Sequence, residues 1–155
     1  MNSAMEGSFR RSVVRGIACR SGKAELALPF ETVGQIIEYT VYPLPLARPF
    51  IAGLGLHDDW PLVSVNLSRT GEPLRTGAPR VAKGILLETA GTSVAWALEV
   101  DELGTFVEAT LGPRVAVPGL DLPPWIGKAS TTNGRTLAWI DVAAMLVALG
   151  TEAPR

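Results

Sequence analysis

The chain has 155 residues, enough for one domain or two small subdomains sharing a core, with about 70% of the unfolded surface buried on folding. Apolar residues make up 47% and charged residues 19%, a globular rather than a disordered balance. The 14 basic and 15 acidic residues nearly cancel, and no block of like charge occurs, which argues against nucleic-acid binding or attraction to an anionic membrane.

Residues 1–12 are polar, small and basic without periodicity, and read as a flexible N-terminal arm carrying Arg10 and Arg11. The segment contains no apolar signal core, and no apolar run in the chain reaches the ~18 residues of a membrane span. These features predict a cytoplasmic protein without direct membrane insertion. Cys19, the single cysteine, excludes an internal disulfide and reads as a small buried hydrophobe.

Val13–Cys19 reads as a strand, residues 20–23 as a hairpin turn, and Ala24–Leu28 as the partner strand, stopped by Pro29. Phe30, Val33, Ile36 and Ile37 recur at three- and four-residue spacing, which predicts a short helical turn over Phe30–Glu38. Pro43, Pro45 and Pro49 predict an extended connector. Ile51–Leu54 and Pro61–Leu67 read as strands joined across His57-Asp58-Asp59, with Val63, Val65 and Leu67 alternating against Ser64 and Asn66. Residues 68–79 are rich in Gly and Pro and read as a surface loop.

Ala82–Thr89 and Ser93–Val100 follow as strands around Ala90-Gly91-Thr92, then Phe106–Leu111 as another. Residues 112–124, with four prolines, read as an irregular connector. Trp125–Ser130 and Arg135–Ile140 flank Asn133-Gly134, the strongest short hairpin signal. Asp141 is placed to cap a helix over Val142–Leu149, with Gly150 at its left-handed C-terminal position. Many short strands, one helical turn and a final helix define an all-β, barrel-type fold.

The chain offers little chemistry. His57 is the only imidazole; with Asp58 and Asp59 it could take part in a metal or hydrolytic site, but a further ligand from elsewhere is needed. No nucleophile elbow is present, and Gly53-Leu54-Gly55 lacks the third glycine and following helix of a phosphate loop. Glu99 and Asp101, two apart on one strand, read as a solvated edge. Trp60, Trp96, Trp125 and Trp139 read as core fillers or interface anchors, because no basic residues are interleaved with them. No cofactor is predicted.

Four ordered motifs resemble the CheW-like family, the coupling proteins of bacterial chemotaxis arrays. They are Leu26-Ala27-Leu28-Pro29 followed by Val33-Gly34-Gln35-Ile36, then the segment from Pro43 to Gly53, then Val100-Asp101-Glu102-Leu103, and finally Gly127-Lys128-Ala129 with Ile140-Asp141 and Met145-Leu146. The likeness spans about Val13 to Gly150. It implies an adapter or scaffold without catalytic activity, built of two small five-stranded SH3-like barrels around a shared core with a C-terminal helix. Residues 13–150 would form this two-barrel domain.

The implied partners are the regulatory domain of a CheA-type histidine kinase and the cytoplasmic tip of a chemoreceptor, with an apolar groove between the barrels accepting a helical hairpin. The implied partner-binding residues are Val33, Ile36, Ile37 and Gly53 on the first barrel, with Asp58 beside them and Ala97 and Leu98 lining the groove from the second. Where the family has Asn-Leu-Arg-Gly this chain has Leu56-His57-Asp58-Asp59, so Asp58 is a charge reversal. The alternative reading is a small-ligand-binding or hydrolytic β-barrel using the His57-Asp58-Asp59 loop.

Overall fold

The structure is a computed structural model that describes residues 13–44, 50–68, 78–88, 94–114, 125–132 and 134–151. Among the described residues the strands are, in chain order, β1 Val13–Ser21, β2 Ala24–Pro29, β3 Val33–Tyr42, β4 Ile51–His57, β5 Trp60–Val65, β6 Arg80–Leu87, β7 Ala95–Glu99, β8 Glu102–Thr110, β9 Gly112–Arg114, β10 Ile126–Thr132 and β11 Arg135–Ile140. A 3-10 turn, Phe30–Thr32, separates β2 from β3, and the helix α1, Val142–Thr151, ends the described residues.

The middle of the chain closes a five-stranded barrel in the order β3-β4-β5-β7-β6. The two ends of the chain meet in a second sheet, ordered β8-β1-β2-β11-β10-β9. Its five principal strands curl into a half-barrel, and β9 adds only three residues at one edge. Parallel pairing of β2 with β11, Leu26 opposite Ala138 and Ala27 opposite Trp139, stitches the N-terminal and C-terminal segments together. The barrel is thus an insertion between β2 and β8.

Three apolar clusters follow from this arrangement. Ile37, Tyr39, Val41, Ala52, Leu62, Ala82 and Ala97 fill the inside of the closed barrel. Ala18, Ala27, Leu137 and Trp139 fill the half-barrel. The largest cluster lies between them and includes Leu26, Leu28, Val65, Ile85, Leu98, Ile126, Ile140 and Met145, the shared core of the two-barrel design. Alternation along β3 explains how one strand serves one barrel interior while showing side chains to water. Ile37, Tyr39 and Val41 point in, whereas Ile36, Glu38 and Tyr42 are exposed.

The helical turn expected over Phe30–Glu38 is confined to Phe30–Thr32. From Val33 onward the segment is a strand paired with β6 from Val33 opposite Leu87 to Val41 opposite Arg80. The β-branched and aromatic residues Ile36, Ile37, Tyr39, Thr40 and Val41 favour extended backbone, and ladder pairing overrides a spacing that fits a helix equally well. At the other end, Asp141 accepts the Ala144 amide at 3.0 Å as the cap that the sequence predicts. Gly150 departs from expectation: it lies inside α1, which continues to Thr151, and its φ is not positive. The hairpin glycine Gly134 has φ 76° and Gly22 has φ 61°, as two-residue turns demand.

Outside the described residues lie the expected arm at 1–12, positions 45–49 of the proline connector, positions 69–77 of the loop expected at 68–79, the turn at 90–92, and positions 115–124 of the connector expected at 112–124, whose first three residues form β9 instead.

Candidate partner-binding surfaces

Outward side chains of the closed barrel assemble into apolar rows because the strand register sets them opposite one another. Val81 on β6 lies across from Thr40 on β3, Thr40 across from Leu56 on β4, and Leu56 across from Pro61 on β5. A second row runs from Tyr42 through Leu54 to Val63. Val81, Leu56, Leu54 and Tyr42 are all exposed. Trp60 is 74% exposed at the start of β5, opposite His57 across the β4–β5 hairpin and on the strand side shared with Leu62 and Ser64. Contiguous exposed apolar surface of this kind marks a contact site more often than it marks a stable free surface.

The tip of that hairpin is tightly built. Asp58 and Asp59 have φ of 48° and 66°, the left-handed pair that a two-residue turn needs and that Asp tolerates. The His57 ring Nδ1 lies 3.1 Å from the Glu38 carbonyl oxygen, and Nε2 lies 3.6 Å from an Asp58 carboxylate oxygen. His57, Asp58 and Asp59 therefore sit on an open hairpin end, not in an enclosed pocket. Among the described residues no group of three or more His, Cys, Asp and Glu is placed to hold a metal ion.

A second exposed apolar feature lies where the chain passes between the two sheets. Phe30 from the 3-10 turn and Phe106 from β8 meet edge to face with ring centroids 5.6 Å apart, and both remain more than half exposed. Val33 follows half-buried, and Ile36 is 53% exposed on the outer face of β3.

The expected contact residues divide by exposure. Ile36 and Asp58 are at the surface and Val33 is half-exposed. Ile37 points into the closed barrel, Ala97 is fully buried beside it, and Leu98 is fully buried in the shared core. Ala97 and Leu98 belong to β7 of the first barrel, so they do not line a groove from the second. Gly53 is also buried; with φ 152°, a Cβ there would collide with the Tyr42 carbonyl oxygen. The centre of the space between the two sheets is solid core. An open groove of about 880 Å³ lies elsewhere, between the start of β1, the 3-10 turn and the first turn of α1, where Arg15, Lys128, Glu31 and Asp141 give it mixed charge.

Two further side-chain arrangements escape sequence reading. Glu99, expected on a solvated edge, is 8% exposed and forms a two-point ion pair with Arg80, whereas Asp101 is exposed and accepts the Gly22 amide. The Tyr39 hydroxyl bonds Ser64 Oγ at 2.8 Å inside the barrel, and burial pushes its pKa up to about 12. Burial likewise pushes the Cys19 thiol up to about 12, which makes it an unreactive hydrophobe at neutral pH. Trp96, Trp125 and Trp139 are core residues, with Trp139 donating to Ser130 Oγ at 2.8 Å; Trp60 alone of the four tryptophans is exposed.

A closed barrel and a half-barrel sharing one core, with exposed apolar rows on the closed barrel, define a two-barrel β-domain. The sequence over residues 15–149 matches the CheW-like domain, and the chain belongs to that family. Its fold is similar to that of the scaffolding protein TtCheW from Thermoanaerobacter tengcongensis, with a TM-score of 0.62 and 14% sequence identity, covering 83% of this chain and 89% of that one. No curated protein matches the sequence.

Proposed function

We propose that this chain is a non-enzymatic adapter of a bacterial chemosensory complex, coupling the regulatory domain of a CheA-type histidine kinase to the cytoplasmic tip of a chemoreceptor. Membership of the CheW-like family and the fold shared with a protein described as a scaffold support this reading. The observation that carries it is the presence of two separate exposed apolar features, the Leu54–Leu56–Val81 face of the closed barrel and the Phe30–Phe106 pair at the seam. An adapter needs two contact surfaces that can be occupied together, and each partner contact of standard size buries about 800 Å² per side.

In this reading Ile36, Val33 and Asp58 touch a partner. Ile37, Gly53, Ala97 and Leu98 act from behind, holding the strands that present those residues. The adapter works in the cytoplasm; among the described residues, no helix is long and apolar enough to cross a membrane. The test is binding of the purified chain to the kinase regulatory domain and to the receptor tip from the same organism. Leu56→Asp and Phe30→Asp each place a charge on one exposed feature without touching the core. Each variant is expected to lose one partner and keep the other; unchanged binding of both partners by both variants contradicts the assignment.

A further inference from the structure

The two barrels fill their interiors differently. Bulky side chains, Ile37, Tyr39, Val41 and Leu62, plug the closed barrel. The half-barrel instead has Ala18 and Ala27 on its inner face, and Gly104 packs against Ala18. These small residues leave an open-ended pocket of about 290 Å³, walled by Ala18, Val107 and Leu137. Strand alternation sets four charges on the same inner face nearer the mouth. Arg20 stands two along from Ala18, Glu25 two from Ala27 and Arg135 two from Leu137, while Glu102 lies opposite Arg20. The row reads Glu102, Arg20, Glu25, Arg135 across β8, β1, β2 and β11, and all four line the pocket. Arg20 bonds Glu102 at 3.0 Å and the Gly22 carbonyl at 2.7 Å, and Arg135 bonds Glu25. The Arg135 pKa is raised first by its hydrogen bond to Glu25, and the charge of Glu102 adds to the rise, so the two pairs form one rim.

We propose that this half-barrel pocket binds a free α-amino acid with an apolar side chain. The side chain lies against Ala18, Val107 and Leu137, the carboxylate on the Arg135 guanidinium and the ammonium on Glu102, so that the ligand spans the two wall strands β11 and β8. A ligand with one charge alone sets it against a like charge in the rim, whereas a zwitterion matches both signs at once. Arg135 suits the carboxylate because a guanidinium holds it by two parallel hydrogen bonds, and Arg20 is already shared between Glu102 and a backbone carbonyl. Exposed ion pairs contribute little to stability, so exchanging a rim partner for a ligand charge costs little. Small-ligand pockets generally begin at ~300 Å³, so this volume suits a molecule of amino-acid size and excludes one as large as a nucleotide.

Calorimetric titration of the purified full chain with leucine tests this, beside 4-methylpentanoate and 3-methylbutylamine, which keep the apolar tail and lose one charge each. Leucine is expected to bind with a millimolar or tighter Kd, and each analogue roughly tenfold more weakly or worse. Ala18→Leu fills the pocket and is expected to abolish binding with the melting temperature nearly unchanged. Arg135→Gln and Glu102→Gln alter exposed side chains and keep the test decisive where the packing variant fails to fold. Arg135→Gln is expected to weaken leucine roughly fivefold or more and to leave 3-methylbutylamine unchanged; Glu102→Gln is expected to weaken leucine and leave 4-methylpentanoate unchanged. The proposal is overturned if leucine gives no heat at millimolar concentration, if all three compounds bind equally, or if folded variants bind leucine as the wild type does. It is also overturned if a leucine peptide with blocked ends binds more tightly than the free amino acid, which would put a partner segment in the pocket. No partner protein enters the titration, so its outcome leaves the adapter assignment untouched.

Discussion

Arg80 and Glu99 meet side by side across β6 and β7, each guanidinium terminal nitrogen on a different carboxylate oxygen. Glu99 is nearly buried, and Arg80 is about a quarter exposed at its side chain. The hydrogen bond from Arg80 to Glu99 is the main cause that raises the arginine pKa further. Glu99→Gln leaves a partly buried guanidinium without its counter-charge. It is expected to lower stability by about 2 kcal/mol, less than the loss for a fully buried pair because water still reaches Arg80. Urea unfolding of the two proteins measures the difference.

Gly53 looks like a surface position only in the sequence. Its φ of 152° and its contact with the backbone of Tyr42 leave no room for a side chain. Gly53→Ala is expected to cost about 2 kcal/mol or more through strain and a displaced β3–β4 ladder. Loss of partner binding in such a variant would report damage to the barrel, and a thermal melt recorded beside the binding assay separates the two.

The pH dependence of stability has a defined sign on the alkaline side. Cys19 ionises at about 9.0 when unfolded and about 12 when folded, and Tyr39 at about 10 and about 12. Both groups keep their proton longer in the folded state. Their contribution is fully present below pH 9 and is lost as pH rises towards 12, at up to about 1.4 kcal/mol per pH unit for each group. Chemical denaturation between pH 8 and 11 should show the decline starting near 9, and Cys19→Ala should move its onset to near 10. The same burial predicts that the native thiol fails to react with an aromatic disulfide reagent at pH 8, while the unfolded chain reacts with one equivalent.

Neighbouring isoleucines on β3 give the sharpest contrast between surface and core. Ile36 is 53% exposed and Ile37 is 6% exposed. Ile36→Asp is expected to leave the melting temperature nearly unchanged and to weaken one partner. Ile37→Asp places a charge inside the barrel and is expected to cost about 4 kcal/mol or more, enough to unfold a domain of this size. Circular dichroism melts of the two variants distinguish them directly.

The strands are largely legible in the sequence because turn residues punctuate them: Gly22, Asp58-Asp59 and Gly134 all fall where the chain reverses. The family motifs likewise carry through to a family match over residues 15–149. What the sequence hides is the direction of side chains. Ile36 and Ile37 are the same residue type one position apart, and only the β3–β6 register decides which faces water. Ala97 and Leu98 pose the same problem, since β7 is buried on both faces, between the barrel interior and the shared core. The exposed Trp60 is equally invisible, because the other three tryptophans of identical chemistry are core residues.

An adapter holds both of its partners at once, and sedimentation velocity on the full chain mixed with the kinase regulatory domain and the receptor tip shows whether this chain does. The adapter account predicts a ternary species containing one of each, which Leu56→Asp reduces to a binary complex. Mutually exclusive binding of the two partners, or migration of all three components separately, contradicts it.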